Sequence, residues 1–278
     1  MGADPEGIVY DPVTGLVAVA VRSPDRLVLL DGASMRIRRV VPLAGHARHL
    51  QLAGPGGPVI VPEEDKNQLA LVSLTGAATT TITTGMSPHD AAAVPGGYVA
   101  GNEFGSSITL ARTGQPPQTV GGVEQPGGVI DLGADVAIVD VKGYTVTTYR
   151  VSDGTRLASV AAGAGPTHGV RAADGTLLVS DTRGNRVLDF GTDPLAQRGR
   201  LALPGSPYGL AADSRQPIVW VTLTGRNQVV GIAIAGGKLT EVARLDTVRQ
   251  PNTVAVAPGS GTIWVAGNAD GVVQKLTR

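Results

Sequence analysis

The chain has no cysteine. That excludes disulfides, thiolate metal sites and cysteine nucleophiles, but it assigns no compartment, because a large β-rich domain can be exported without cross-links. Aromatics are scarce, at 3% with Trp 2, Phe 2 and Tyr 5, so there is no series of stacking platforms for single-stranded nucleic acid. Neither charge is in surplus, since Lys+Arg 23 balances Asp+Glu 23. Such a neutral chain lacks the electrostatic footprint of a nucleic-acid or membrane-surface binder. No apolar run approaches the ~18 residues that a membrane-spanning helix needs. The Met-Gly-Ala start has neither a charged nor an apolar leader segment, so no signal peptide is visible. A P-loop, a Gly-x-Gly-x-x-Gly opening a helix, a His-Glu-x-x-His helix and a Gly-x-Ser-x-Gly elbow are missing too.

What is there is Gly 39 and Pro 19, spread along the chain, and 42% hydrophobic residues that are mostly Val, Ala, Leu and Ile. Short apolar runs bounded by Gly, Pro, Asp and Asn signal strands, and helical spacing is nowhere sustained. The clearest stretch reads as strands over 169–173, 176–180, 186–190 and 197–203, with an Asp174-Gly175 hairpin turn and a polar loop at 181–185. This unit recurs seven times. The entry turns are Pro5-Glu6-Gly7, Ala47-Arg48-His49, Pro88-His89-Asp90, Pro126-Gly127-Gly128, Thr167-His168-Gly169, Pro207-Tyr208-Gly209 and Pro251-Asn252-Thr253. Their middle residues recur about every 41 residues, the period of β-propeller blades. One blade cannot bury both of its faces. Residues 1–278 therefore read as a single all-β domain, a seven-bladed β-propeller of four-stranded blades with little or no helix. The count leaves the last blade a strand short. Either that blade has three strands, or an N-terminal strand absent from this sequence closes it.

The stretches 176–187, 207–213 and 262–268 resemble YVTN/YncE-like and NHL-like propeller repeats, and the likeness covers essentially the whole chain. It implies the fold and leaves function open, because such propellers include scaffolds, ligand-binding modules, lactonases and lyases. In the gluconolactonase-like family, entry-turn Glu, Asn and Asp residues hold a divalent metal. Glu6 and Asn252 match two of these, and the Asp has no counterpart. The seven-bladed streptogramin-lyase-like propellers are similar at Pro207-Tyr208-Gly209, and that resemblance implies a catalytic histidine at His168 or His89.

In propellers of this kind the entry turns and the loops after the second strands open on one face. The turns supply Glu6, Arg48, His89, Gly127, His168, Tyr208 and Asn252, and the loops supply Glu63, Asn102, Asp140 and Asp181 in consecutive units. The expected result is a polar, mildly acidic cup at the channel mouth. Its ligand-binding residues read as Glu6, Arg48, His89, Asn102, Asp140, Asp181, His168, Tyr208 and Asn252. The expected function is a non-enzymatic scaffold that binds a small molecule or a protein partner there. The alternative is a metal-dependent small-molecule hydrolase or lyase at the same mouth. Glu6, His89, His168 and Asn252 would then hold a divalent cation (Ca, Mg or Zn), with His168 or His89 as general acid or base. No other cofactor is implied. A monomer is expected, and the resemblance implies an exported bacterial protein, periplasmic or extracellular.

Overall fold

A computed structural model describes residues 4–278 of the chain. Its strands form six four-stranded sheets and one three-stranded sheet, each an antiparallel meander in chain order. These are the seven blades. The innermost strands line the axis, and those of the first and seventh blades, Pro5–Tyr10 and Pro251–Val256, pack together to close the ring. No helix is long and apolar enough to cross a membrane.

The predominance of Val, Ala, Leu and Ile follows from this architecture. Seven apolar clusters form, one between each pair of neighbouring blades. Short and β-branched side chains suit such stacked, twisted sheets. Each Val or Leu that is covered contributes about 1.5–3 kcal/mol, and only a neighbouring blade can supply the cover. The scarce large aromatics fill the spaces between blades: Tyr149 between the third and fourth, Phe190 between the fourth and fifth, and the two tryptophans on either side of the seventh. Trp220 packs between the last two blades, and Trp264 stacks on Tyr10 with centroids 4.6 Å apart where the ring shuts.

Third and fourth strands follow one register. The first inward residue of each third strand faces an aliphatic side chain: Leu27 pairs with Val41, Leu69 with Ile82, Ile108 with Val120, Val146 with Val160, Val187 with Leu201 and Val229 with Leu245. In the seventh blade no fourth strand follows among the described residues, and the sheet ends at Val272–Thr277. Of the two closures expected from sequence, the described chain takes the three-stranded form.

Helix among the described residues is confined, as expected, to single 3-10 turns at Glu64–Lys66 and Glu103–Gly105, directly after the second strands of blades two and three. Each ends on a left-handed residue, Asn67 at φ 54° or Ser106 at φ 47°. One expectation needs correction: the entry segments, read from sequence as turns, are not simple turns. In six blades the pairing of the first strand slips at this point, as between Pro166 and Gly169 or Pro251 and Thr253. These are bulges, which bend the strand and re-aim the extra side chain. Only in the second blade, whose first strand is the two-residue Gln51–Leu52, does the entry remain a loop.

Candidate ligand site at the channel mouth

The bulges bring Glu6, His89, His168, Tyr208 and Asn252 to one end of the axis, as the repeat implied. They do not form a single ring of contacts. Glu6 belongs to the closing seam: Asn252 and Asn268 donate Nδ2–H bonds to its carboxylate at 3.2 and 3.1 Å, and Arg22 lies 3.9 Å away. Burial pushes the Glu6 carboxyl upward against the pull of Arg22 and Arg48.

The remaining groups gather on blades two to six. His89 Nδ1 lies 2.8 Å from Glu64 Oε1 and 3.2 Å from Glu103 Oε2, and both carboxylates are buried. Arg48 approaches the same two acids at 3.4 and 4.0 Å. His46 Nε2 is 3.0 Å from Glu64, and Gln125 donates to Glu103 at 2.7 Å. Burial alone would depress the His89 imidazole, but its bonds to Glu103 and Glu64 raise it to about 9. The reciprocal effect overcomes burial at Glu103 and lowers that carboxyl to about 2.

His168 has the opposite environment. Burial, with the His89 charge nearby, lowers it to about 3. It bonds the Gly127 backbone, and its Nε2 is buried without a hydrogen-bond partner. A neutral imidazole bonded at one nitrogen leaves an acceptor lone pair on the other. His49 lies between the two, its ring centroid 4.2 Å from that of His168 and 4.6 Å from that of His89. The Tyr208 ring meets His168 edge-on at 4.5 Å. Below this layer an axial cavity of about 470 Å³ is lined by His49, His168, Gln51, Asp90 and aliphatic side chains of the inner strands. Asp90 accepts bonds from Val129 N at 2.8 Å and Gln51 Nε2 at 3.1 Å, and burial lifts it to about 6. Exposed Phe104 follows Glu103 in the same 3-10 turn, and the backbone of exposed Met86 packs against Gly105 of that turn.

The second expected set has another use for its side chains. Asp140 accepts bonds from the backbone N–H groups of Glu124, Gln125 and Gly143 at 2.7–2.9 Å. Asp181 accepts from Ala164, Gly165 and Gly184, and from Arg186 Nε at 2.7 Å. Asn102 bonds Ser107 and Thr109, and Glu63 accepts from Ala44 and Gly45. These groups tie the incoming loop to the blade, so their polar atoms are taken up before any ligand arrives. The glycine three residues after each Asp lets the loop fold over the carboxylate: a Cβ on Gly184 would run into Asp181 Oδ2.

The four residues read from sequence as metal ligands are likewise divided, Glu6 and Asn252 on the seam and His89 and His168 on the other side. The group that does converge is Glu64, His89 and Glu103, whose ligand atoms lie within 4.8 Å of one another. Two carboxylates and an imidazole suit Mg, Mn or Zn, but Glu103 Oε2 already faces His89 Nδ1 at 3.2 Å, so an ion would enter by displacing the proton between them. Sequence reasoning missed Glu64, and it left His49, which it noted only as half of a weak His46-x-x-His49 pair, out of the site. Glu64 and Glu103 hold the same place after the second strand, 39 residues apart, a signal the ring positions alone did not carry. His49 faces the axis because the second blade has no bulge to select one residue.

No family profile matches the chain, and no curated protein matches it in sequence. Solved structures share its fold. A streptogramin B lyase superposes with a TM-score of 0.83 at 18% identity, covering 99% of this chain and 93% of that one. A catalytically inactive histidine-to-alanine form of virginiamycin B lyase from Staphylococcus aureus, with quinupristin, gives 0.82 at 16%, covering 99% and 95%. A chain of the mitotic checkpoint complex gives 0.83 at 10%, covering 100% and 89%. At these identities the likeness shows the fold alone, which serves lyases and scaffolds alike.

Proposed function

We propose that a small polar molecule binds against His168 in the axial cavity, on a disc whose remaining surface is scaffold. The observation that carries this is the buried Nε2 of His168, without a partner and beside the axial cavity. A buried acceptor left unpaired costs about 1–3 kcal/mol, which a ligand hydroxyl or ammonium would recover. The test is a thermal-shift screen of small polyols, amines and amino acids against the whole chain and H168F. A compound that raises the melting temperature of the first and not of the second supports the reading. Equal shifts in both would sink it.

A second reading is favoured by the Glu64–His89–Glu103 convergence, and the fold likeness to streptogramin B lyase fits it. It makes the protein a metal-dependent lyase or hydrolase. His168, held neutral, would accept a proton, and the two carboxylates with His89 would hold a divalent ion. A bound ion would displace the proton that His89 shares with the two carboxylates, leaving His168, its ring centroid 6.3 Å from that of His89, as the base of the site. Melting curves with excess Mg, Ca, Mn and Zn test the metal, because an ion bound only by the folded state raises stability by mass action. Quinupristin incubated with each ion, followed by chromatography, tests the chemistry. No metal shift in the protein, or the same shift in E103Q, removes this reading and leaves the first standing.

A further inference from the structure

The seventh blade departs from the other six where they agree most closely. In those six the first inward residue of the third strand is covered by an aliphatic residue of the fourth, and Leu27, Leu69, Ile108, Val146, Val187 and Val229 are each at most 1% exposed. Val273 holds the same place, opposite Ala266 and next to the hairpin end, yet it is only half-buried. Val272 beside it is 41% exposed. Among the described residues this strand has no outer neighbour, so its outward N–H and C=O groups form a template for another strand.

We propose that this edge takes up an extended segment of another polypeptide as the fourth strand of the blade, antiparallel to Val272–Thr277. The molecule itself specifies the chemistry of that segment. The six internal examples require Val, Ile or Leu opposite Val273. Two positions away the other blades carry Leu29, Leu71, Leu110, Thr148, Asp189 and Gly231 on the third strand, facing Arg39, Thr80, Gln118, Ala158, Gly199 and Ala243. The seventh has an exposed cation there, Lys275, whose Nζ donates to Ala33 O of the first blade at 2.9 Å and keeps its other two N–H groups for a partner. Opposite charges paired across strands are favourable and like charges are not. The matching segment therefore reads, from its N-terminal side, acidic, polar, aliphatic, small. Main-chain pairing supplies affinity in such strand addition, and the alternate side chains supply selection.

The probe is a synthetic octapeptide copying residues 239–246, the sixth blade's own fourth strand, with the change A243E. Titrated into the whole chain, it is expected to slow hydrogen exchange across 272–277 and to shift the emission of Trp264, which pairs with Lys275. A peptide carrying A243K is expected to bind about fivefold more weakly, the size of one cross-strand pair, and K275E is expected to reverse that preference. V273D is expected to lose about tenfold or more from burying a charge. The proposal is overturned by an absence of protection at millimolar peptide, or by a preference that K275E leaves unchanged. It is also overturned if 272–277 are already protected in the protein alone, at every concentration or only where sedimentation shows a dimer.

Discussion

His89 and His168 differ in what surrounds them more than in where they stand. Both occupy the bulge of a first strand, and both are buried. One faces two carboxylates and the other faces that charged pair from a dry pocket. Their linkage to stability is therefore opposite in sign. His89, raised to about 9, contributes fully below its usual 6.5 and loses that contribution as pH rises through about 9. His168, lowered to about 3, contributes above 6.5 and loses it as pH falls, and buried His49 acts in the same direction. Asp90, raised to about 6, offsets part of the acid side, because its contribution shrinks as pH rises from 3.8 to about 6. The expected outcome is a stability maximum near pH 6.5 in metal-free buffer. Melting temperatures across pH 4–10 should show H89Q flattening the alkaline limb and H168Q the acid limb. Sequence placed both histidines at the mouth but could not assign their charge, because Glu64 and the 3-10 turn that aims it were hidden in an ordinary polar loop.

At the scale of the blade, the carboxylates after the second strands are fasteners. Asp181 is fully buried and receives three backbone donors and a guanidinium. D181A is expected to cost about 3 kcal/mol, since it leaves those donors and Arg186 unpaired, read as a lower denaturant midpoint at unchanged slope. G184A is expected to destabilise comparably by driving a methyl group into the same carboxylate. The strands themselves were legible, because an apolar run between Gly, Pro and Asp has few other uses. The roles of Asn102, Asp140 and Asp181 were not. Acidic residues at equivalent places look alike whether they face a ligand or fold back on their own loop. Only the glycine three positions later, at Gly143 and Gly184, marks the second case.

For the whole molecule, the seven-fold count decided the architecture, and the shortfall of one strand was visible in it. What the count could not give was the division of the mouth, because a repeat makes every blade equivalent and the side chains then break the symmetry. The seam between the first and last blades is held by Glu6, which serves both Asn252 and Asn268, by the bond from Thr253 Oγ1 to the Glu6 carbonyl and by the Tyr10–Trp264 stack. E6A is expected to lower stability by about 2 kcal/mol. It should speed hydrogen exchange first in Pro5–Tyr10 and Pro251–Val256, while the amides of blades three to five keep their rates.

That division also has an order in time. Every group gathered around His89 and His168, apart from Tyr208, lies between His46 and His168, on blades adjacent in the chain. The closing contact joins Glu6 to Asn268, separated by 262 residues. Short-range contacts form early, and the longest loop closes last. At roughly 5–20 residues per second, the ribosome needs on the order of ten seconds to go from His168 to Asn268. On that order the acidic pair and its histidine would come together on a crescent before the disc closes. The ligand proposed above would then find its site open from the side as well as along the axis.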